Sequence, residues 1–466
     1  MFIYDSVKRK KVPFEPLRDG EVSIYVCGPT VYDDAHLGHA RSALSFDLLA
    51  RTLHTLGYSV TLAKNFTDID DKIIKKVEES GRSMREITDY YIDRYLREMD
   101  ALAVERSDIE PKATESMDAI KAMIERLLEE GFAYRISSGD VYFDTARDPR
   151  YGEISHRVSD DSDTQSRVEH TLEKKNPKDF ALWKACEELD EICFDAPFGS
   201  GRPGWHIECS AMIEKHFQST KEYSIDIHGG GADLLFPHHE NEAAQSRCAS
   251  GHELAKYWMH NGFVQIDGEK MSKSLGNSFF LKDALEAYDG EILRYYLISI
   301  HYRNDFNFNE EDLLIAKKRL DKLYRLKKRI TLGKASTPSK EFKTSLLEAM
   351  GDDLNISVAL SVIDETIAQT NEKLDINPKD KALKRETLAN IEFIDKLLGF
   401  GAKDPFDYFQ IGIDPELKTE IERLITARTE AKKAKDFATS DTIRDQLTEM
   451  GIAIMDSTEG TLWEKL

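Results

Sequence analysis

Residues 21–30 read EVSIYVCGPT, an alternating and β-rich run that a Gly-Pro pair ends. This pattern predicts a strand over 21–27. Apolar residues at helical spacing predict a helix over 38–53, and the pattern then repeats with a strand over 58–66 and a helix over 69–79. Strand–helix–strand–helix is typical of a parallel sheet with crossover helices. Ligands in such sheets bind outside the carboxyl ends of the strands, where Cys27 lies.

The next region, residues 108–200, has a mixed pattern and is interpreted as an insertion into the sheet domain. It contains a helical pattern near 117–130, a short strand pattern at 140–143 and a polar stretch at 155–175. Strand patterns return at 224–228 and 263–266.

Helical periodicity covers 310–398, and the glycine-rich run 399–405 is typical of a linker. We therefore predict an α/β, Rossmann-like catalytic domain over 1–309, a helical bundle over 310–405 and a small α+β domain over 406–466.

Composition limits the possible partners. The 466-residue chain is 41% hydrophobic and 32% charged, with a net charge of −21, whereas a protein that binds nucleic acid through its overall field would be basic. Any nucleic-acid partner must therefore meet a local basic surface, and the run KKRLDKLYRLKKR at 317–329 is a candidate. A solvated helix face explains that run equally well.

Cysteine usage and hydropathy point to a cytoplasmic protein without membrane contact. The five cysteines are an odd number at low density, without a CxxC pair, so we expect thiols rather than disulfides. The sequence contains no apolar run of the ~18–20 residues that cross a bilayer, and its start lacks the pattern of a secretory signal.

Two short motifs carry candidate phosphate chemistry. His36-Leu37-Gly38-His39 follows the first strand at a predicted helix start, where backbone N–H groups favour phosphate and two imidazoles can donate to developing charge. KMSKS at 270–274 offers Lys270 and Lys273 on a predicted loop that can close over a triphosphate. Each motif alone is weak, since surface histidines and basic loops are common.

A third set of residues has the donors that Zn²⁺ prefers. The candidate ligands are Cys27, Cys209 and the cluster His238-His239-Glu240-Asn241-Glu242, and two thiolates, one imidazole and one carboxylate suit Zn²⁺. His238 and Glu242 are four residues apart and share a face if their segment is helical, and Pro237 favours a helix start there. Spacing alone does not establish the site, because Cys27 and Cys209 are far apart in sequence.

The order of the two short motifs resembles the class I aminoacyl-tRNA synthetases. Five further stretches resemble the cysteinyl-tRNA synthetases within that class, nearly end to end: YVCGPTVYD (25–33), NFTDIDDK (65–72), GWHIECS (204–210), HGGGADL (228–234) and FPHHENE (236–242). Departures are small: Leu37 stands where isoleucine is usual, and 155–175 follows the family pattern only loosely.

The resemblance implies activation of L-cysteine by ATP, with Mg²⁺, and transfer to the 3′ end of tRNA(Cys) by a monomer. It implies adenylation chemistry at His36, His39 and Lys273, with Lys270 assisting. It also implies that the zinc ligands are Cys27, Cys209, His238 and Glu242. Further site residues follow from the same motifs: Gly28, Thr67 and Trp205 for cysteine, and Gly38, His228, Gly230 and Asp233 for ATP, beside His36, His39 and Lys273.

The resemblance also implies that the bundle and the terminal domain bind tRNA. Phe437 and Trp463 in the terminal domain could stack on bases, although core packing is the more common role for such residues. Cys186, Cys193 and Cys248 are expected to be structural.

Two other functions fit parts of the sequence. A cysteine ligase of the mycothiol pathway shares the zinc and nucleotide motifs but joins cysteine to an aminosugar, and it needs no anticodon-reading unit. A zinc-stabilised RNA-binding protein without catalysis is the second alternative. Cysteine-dependent exchange of pyrophosphate into ATP would exclude the latter.

Overall fold

The computed structural model describes residues 1–156, 173–186, 192–266, 269–270, 279–330, 335–457 and 460–465. The chain forms two compact units, each discontinuous in sequence. The first comprises Met1–Ala284, Leu297–Asn309 and Leu347–Ala359, and the second comprises Leu285–Tyr296, Glu310–Leu346 and Leu360–Leu466. The division into three domains stays a prediction.

The described strands are, in chain order, β1 Phe2–Asp5, β2 Lys10–Pro13, β3 Glu21–Val26, β4 Ser59–Lys64, β5 Ala133–Arg135, β6 Val141–Phe143, β7 Phe180–Ala185, β8 Gly201–Pro203, β9 Tyr223–Gly231, β10 Glu253–Asn261, β11 Val264–Ile266, β12 Glu269–Lys270, β13 Phe306–Phe308, β14 Ile452–Ser457 and β15 Gly460–Lys465.

The described α-helices are α1 Leu37–Thr55, α2 Asp71–Ser80, α3 Met84–Ala101, α4 Met117–Glu129, α5 Trp205–His216, α6 Glu240–Ser250, α7 Leu281–Ala287, α8 Gly290–Ile298, α9 Glu310–Ile330, α10 Lys340–Gly351, α11 Ile356–Ile376, α12 Lys381–Leu398, α13 Pro405–Tyr408, α14 Pro415–Lys433 and α15 Phe437–Glu449.

A four-stranded parallel sheet, in the order β10-β9-β3-β4, forms the centre of the first unit. Ile24, Tyr25 and Val26 of β3 are at most 1% exposed, because helices cover both faces of such a sheet. Helix α1 connects β3 to β4 as predicted. The α/β fold class is therefore confirmed, and the carboxyl ends of β3 and β4 lie side by side.

Local signals set the ends of the helices that follow β4. The Asp70 side chain accepts a hydrogen bond from Lys72 N–H at the start of α2, and α2 ends at Gly81, whose φ of 66° suits glycine. Ser83 and Glu86 form a reciprocal capping box at the start of α3. These signals end α2 and begin α3 within a few residues, so the two helices follow each other closely in the first unit.

Strand β10 was not predicted, and the strand predicted at 263–266 belongs to another sheet. Residues of β10 are mostly buried on both faces, so the alternation that marks a half-exposed strand is missing. β11 instead pairs with β12 and β13 in a three-stranded sheet. Both strands were thus difficult to place from periodicity alone.

The insertion folds as an antiparallel sheet, in the order β5-β6-β7-β8, against α4 and α5. Its core includes Ile120, Leu127, Phe143 and Trp183, all fully buried. The polar stretch predicted at 155–175 lies mostly outside the described residues.

The expectation that all five cysteines are thiols is wrong for Cys186 and Cys193, which form a disulfide. Their Cα atoms lie 6.2 Å apart, because Phe194 pairs with Gly201 and Cys186 N–H donates to Ser200 O where β7 turns towards β8. Sequence spacing does not reveal this fold of the chain. Cys27, Cys209 and Cys248 are free thiols.

The second unit contains α9 to α12 and ends in the α14–α15 pair with the β14–β15 hairpin. Trp463 is 6% exposed and packs with Ile421, Leu424 and Leu447, so it is a core residue as expected. The same expectation is wrong for Phe437, which is 63% exposed because it occupies the first position of α15. Among the described residues, no helix combines the length and apolarity needed to cross a membrane.

Candidate metal centre and nucleotide site

Backbone pairing beyond β3 and β4 brings their carboxyl ends together. Thr67 N–H donates to Pro29 O at 3.2 Å, and Val31 N–H donates to Thr67 O at 3.1 Å. Gly28 N–H donates to the Asn65 side chain at 2.8 Å. A Cβ atom at Gly28 would lie 1.6 Å from Asn65 O, so no other residue fits without moving this turn.

Four side chains from three elements converge beside this turn. The Sγ atoms of Cys27 and Cys209 are 3.7 Å apart, and Glu242 Oε1 lies 3.4 Å from Cys27 Sγ. His238 Nε2 lies 3.8 Å from Cys209 Sγ and 3.0 Å from Glu242 Oε1. All four residues are buried. The structure therefore brings together the four donors proposed from the sequence.

The spacing of these donor atoms suits one tetrahedral ion. Two sulfurs that are each ~2.3 Å from the same tetrahedral ion lie about 3.8 Å apart, close to the 3.7 Å between Cys27 and Cys209. Two sulfurs, one imidazole nitrogen and one carboxylate oxygen are ligands that Zn²⁺ accepts. The residues present fit a zinc ion in both geometry and chemistry.

A second set of donors overlaps the first and consists of Cys27, His228, His239 and Glu242. His228, for which contact with the adenosine stays a prediction, is fully buried, with Nδ1 3.0 Å from Tyr25 O and Nε2 2.8 Å from Glu242 Oε2. Because a carbonyl can only accept, Nδ1 carries the proton. Nε2 of His228 thus lies against the Glu242 carboxylate.

Three further histidines surround the cluster: His206, His239 and His260. None of them had been assigned a role of its own from the sequence. His206 Nδ1 lies 2.9 Å from His238 Nδ1, which leaves Nε2 of His238 directed at the cluster. His239 Nδ1 lies 2.8 Å from His260 Nε2. Such outer partners fix the ring orientation of a metal ligand.

Burial keeps His206, His238, His239 and His260 neutral. It lowers the pKa of His206 and of His260 to about 3, and it also lowers the pKa of His238 and His239, aided by neighbouring imidazoles. Neutral imidazole is the form that binds a metal ion.

The thiols are protonated when no cation is present. Burial, together with Cys209 and Glu242, raises the pKa of Cys27 well above its usual value. The hydrogen bond from Cys27 lowers the pKa of Cys209, but burial and the charge of Glu242 outweigh it and the net shift is upward. Thiolate forms here only with a cation to compensate the charge, so binding of a metal ion releases protons.

Trp205 provides an accessible wall beside the cluster. Its ring stacks on the His238 ring, with centroids 4.1 Å apart and an interplanar angle of 15°, and the side chain is 40% exposed. Thr67 is 1% exposed and accepts from the Asn65 amide at 3.3 Å. The predicted cysteine-binding residues Gly28, Thr67 and Trp205 therefore all border the metal centre or its turn.

The first phosphate motif forms the start of α1. His36 is the N-cap residue, and its Nδ1 accepts from Gly38 N–H at 3.1 Å, while His39 Nδ1 accepts from His36 N–H at 3.2 Å. The two rings stack with centroids 3.8 Å apart. Because both Nδ1 atoms accept, a neutral ring carries its proton on Nε2, and each imidazole presents an N–H donor. This tautomer suits contact with a phosphate.

The other predicted nucleotide residues are only partly described. Gly230 is buried at the end of β9, and Asp233 is exposed in the turn that follows. Lys273 lies outside the described residues, and of Lys270 only the backbone, in β12, is described.

Comparisons with known proteins show the family of the chain. Residues 13–318 match the family model described as tRNA synthetases class I (C) catalytic domain, and residues 414–463 match the Cysteinyl-tRNA ligase anticodon binding domain. The chain is 76% identical to a Cysteine--tRNA ligase of Sulfurovum sp. and 64% identical to one of Nitratiruptor sp., in both cases over the whole of each chain.

Solved structures support the fold. A Mycobacterium tuberculosis methionyl-tRNA synthetase in complex with methionyl-adenylate superposes with a TM-score of 0.61 at 15% identity, covering 85% of this chain and 94% of that one. The full-length identities and the two domain matches decide the family. The chain belongs to the cysteine--tRNA ligase family of class I aminoacyl-tRNA synthetases.

Proposed function

We propose that the buried cluster selects cysteine through a zinc ion that Cys27, Cys209, His238 and Glu242 would hold. The observation that carries this proposal is the convergence of these four donors beside the ends of β3 and β4. When bound, Zn²⁺ would supply a Lewis-acidic position that accepts the substrate sulfur as thiolate.

A metal centre addresses the main problem of specificity for this enzyme. Serine differs from cysteine by one atom, and such small differences are worth only ~1–3 kcal/mol in an ordinary pocket. A borderline-soft ion prefers thiolate to alcohol. Trp205 and Thr67 would hold the rest of the amino acid, and Gly28 would leave room beside Asn65.

The reaction has two steps, activation of cysteine and its transfer to tRNA. The cysteine carboxylate attacks the α-phosphate of ATP and releases pyrophosphate; the terminal ribose hydroxyl of tRNA(Cys) then attacks the carbonyl carbon and releases AMP. We assign the N–H donors of His36 and His39, with Lys273 and the assisting Lys270, to the charge that develops on the α-phosphate. Gly38, Gly230, Asp233 and His228 would border the nucleotide, which enters with Mg²⁺.

The basic run at 317–329 offers a local surface for the polyanionic partner. Of the eight lysines and arginines on α9, five have partners within the second unit: Lys317, Arg319, Lys327, Lys328 and Arg329. Lys318, Lys322 and Arg325 are exposed, share one helix face and have no partner in the described part of the chain. We assign these three to tRNA phosphates.

The same proposal includes three domains, over 1–309, 310–405 and 406–466, in a cytoplasmic monomer. The mycothiol-type ligase is disfavoured, because residues 414–463 match an anticodon-binding domain that a small acceptor does not require.

The decisive experiment measures exchange of labelled pyrophosphate into ATP with cysteine, serine or no amino acid, followed by charging of a tRNA(Cys) transcript. We expect exchange with cysteine but not with serine or without an amino acid. This exchange should be lost when zinc is removed and restored when zinc is added back. Equal exchange with serine, or exchange independent of zinc, would reject the proposed role of the cluster.

A further inference from the structure

The chain that leads into the first phosphate motif is tied to a segment almost 250 residues later. Leu281 N–H donates to Ala35 O at 2.8 Å, and Leu37 N–H donates to Phe279 O at 3.4 Å. His36 forms an antiparallel bridge with Phe280 between these bonds. The later segment begins at Phe279, shortly after the second phosphate motif in sequence, so main-chain contacts join the first motif to the chain that follows the second.

One carboxylate reinforces this junction. Asp34 is 10% exposed, and its Oδ2 lies 2.7 Å from Lys282 Nζ, in the first turn of α7. Its other oxygen, Oδ1, lies 2.9 Å from Arg94 Nε of α3, as an ion pair without hydrogen-bond alignment. Asp34 therefore connects α7 and α3 to the turn that precedes His36.

The α2–α3 pair holds the same turn at a second point. Lys76 Nζ of α2 donates to Tyr32 O at 2.7 Å and to the Tyr91 hydroxyl of α3 at 2.6 Å. Arg94 also lies 3.3 Å from Glu98 on its own helix. The turn at 32–34 is thus fixed on one side by α2 and α3 and on the other by Lys282.

We infer that Asp34 and Lys282 are positioning residues for adenylation, which set the first phosphate motif in register with the chain that follows the second. The inference rests on the proposed function, because it concerns the step in which His36 and His39 act with Lys273. The Asp34–Lys282 pair touches neither the metal donors nor the imidazoles of the motif. Its effect acts through the main-chain bonds between Ala35–Leu37 and Phe279–Leu281.

A purely structural role predicts a different outcome. Ion pairs near the surface contribute little to stability, so loss of this pair as a simple brace leaves the kinetics unchanged. A positioning role predicts a lower rate of adenylate formation, since displacement of a reacting group by about 1 Å can cost as much as ~100-fold. The kcat of pyrophosphate exchange, rather than the melting temperature, therefore distinguishes the positioning role from the structural one.

The test compares three variants in cysteine-dependent pyrophosphate exchange. Lys282→Met is expected to lower kcat by about 10- to 100-fold with an unchanged KM for cysteine. Lys282→Arg keeps the cation and is expected to retain most of the wild-type rate. Lys11→Met is the control, because Lys11 Nζ lies 2.8 Å from Asp352 Oδ1 elsewhere in the first unit, in a pair of similar length whose side chains are more exposed.

A second measurement follows single-turnover transfer from preformed adenylate to tRNA, which is expected to be unchanged in Lys282→Met. Wild-type kcat in Lys282→Met, or equal losses in Lys282→Met and Lys11→Met, overturns the inference. Asp34→Asn adds an independent check and must slow adenylation at least as much as Lys282→Met. Absence of cysteine-dependent exchange in the wild-type protein would instead reject the proposed function.

Discussion

Replacement of Cys209 by serine tests the metal centre most directly. The thiol is 1% exposed, with its Sγ 3.7 Å from Cys27 Sγ and 3.8 Å from His238 Nε2. Serine preserves the shape of the side chain but replaces a potential thiolate with a hydroxyl that stays protonated. Cys27, His238 and Glu242 remain in place, so the variant is expected to bind zinc more weakly rather than to lose it altogether.

The expected magnitude follows from the number of ligands lost. Removal of an outer partner of a metal ligand costs about 10- to 100-fold in affinity, so loss of a direct ligand should cost at least ~100-fold. A factor of 100 corresponds to about 2.7 kcal/mol. The KM for cysteine should rise in parallel, because the substrate sulfur loses its partner.

The assay titrates zinc into the metal-free variant against a chromophoric chelator, and it measures retained zinc by mass spectrometry after dialysis. Cys248→Ser is the matched control, since Cys248 is a half-buried thiol on α6, the helix that carries Glu242, and lies outside the cluster. Zinc affinity and KM for cysteine equal to those of wild type in Cys209→Ser would refute the assignment.

Three further outcomes are expected. His206→Ala should weaken zinc binding by about 10- to 100-fold, measured by the same titration, because His238 loses its outer partner. Asp456→Asn should lower the melting temperature at pH 7, and its effect should shrink as the pH falls below the ordinary pKa of an aspartate. Hydrogen bonds from Arg428 and Lys432 hold the pKa of this carboxyl well below its usual range, so its stabilising contribution is complete above the unfolded pKa and is lost progressively between the unfolded and the folded pKa. Partial exposure makes that contribution modest. Substitution of Lys318, Lys322 and Arg325 on α9 by glutamine should raise the KM for tRNA and reduce the slope of log affinity against log salt by about 3, and it should leave pyrophosphate exchange unchanged. The same charge change at Lys379, Lys381 and Arg385 should alter neither the KM for tRNA nor the salt slope.

The central sheet was predictable because its signals are local. The run from Glu21 to Cys27 combines β-rich composition with a Gly-Pro stop, and α1 shows helical periodicity. Strand β10 lacked such a signal, since burial on both faces removes the alternation that identifies a strand. The Cys186–Cys193 disulfide depends on a hairpin-like fold whose geometry local sequence does not encode.

The metal donors show how far the spacing of residues can lead. His238 and Glu242 are linked by helical spacing, but Cys27 directly follows β3, Cys209 lies on α5, and the two meet only in the tertiary fold. Resemblance to a family, rather than periodicity, joined them into one set. His260 had no such support, and only its burial next to His239 reveals its place in the histidine array.

Phe437 illustrates the limit of composition-based expectations. Aromatic residues in a small domain are usually core, as Trp463 is, yet Phe437 occupies the first position of α15 and stays exposed. Phe437 directly follows the Asp436 cap, whereas the buried residues of α15 are Ser440, Ile443 and Leu447.

The imidazole of His36 caps a helix in addition to its proposed role at the nucleotide. It closes the amino-terminal turn of α1 by accepting from Gly38 N–H, so alanine at this position would weaken the helix start and also delete the proposed phosphate contact. Asparagine is a preferred residue for such a start and lacks the ring. A comparison of alanine with asparagine therefore partitions the loss of activity into a folding part and an electrostatic part, which alanine scanning would merge.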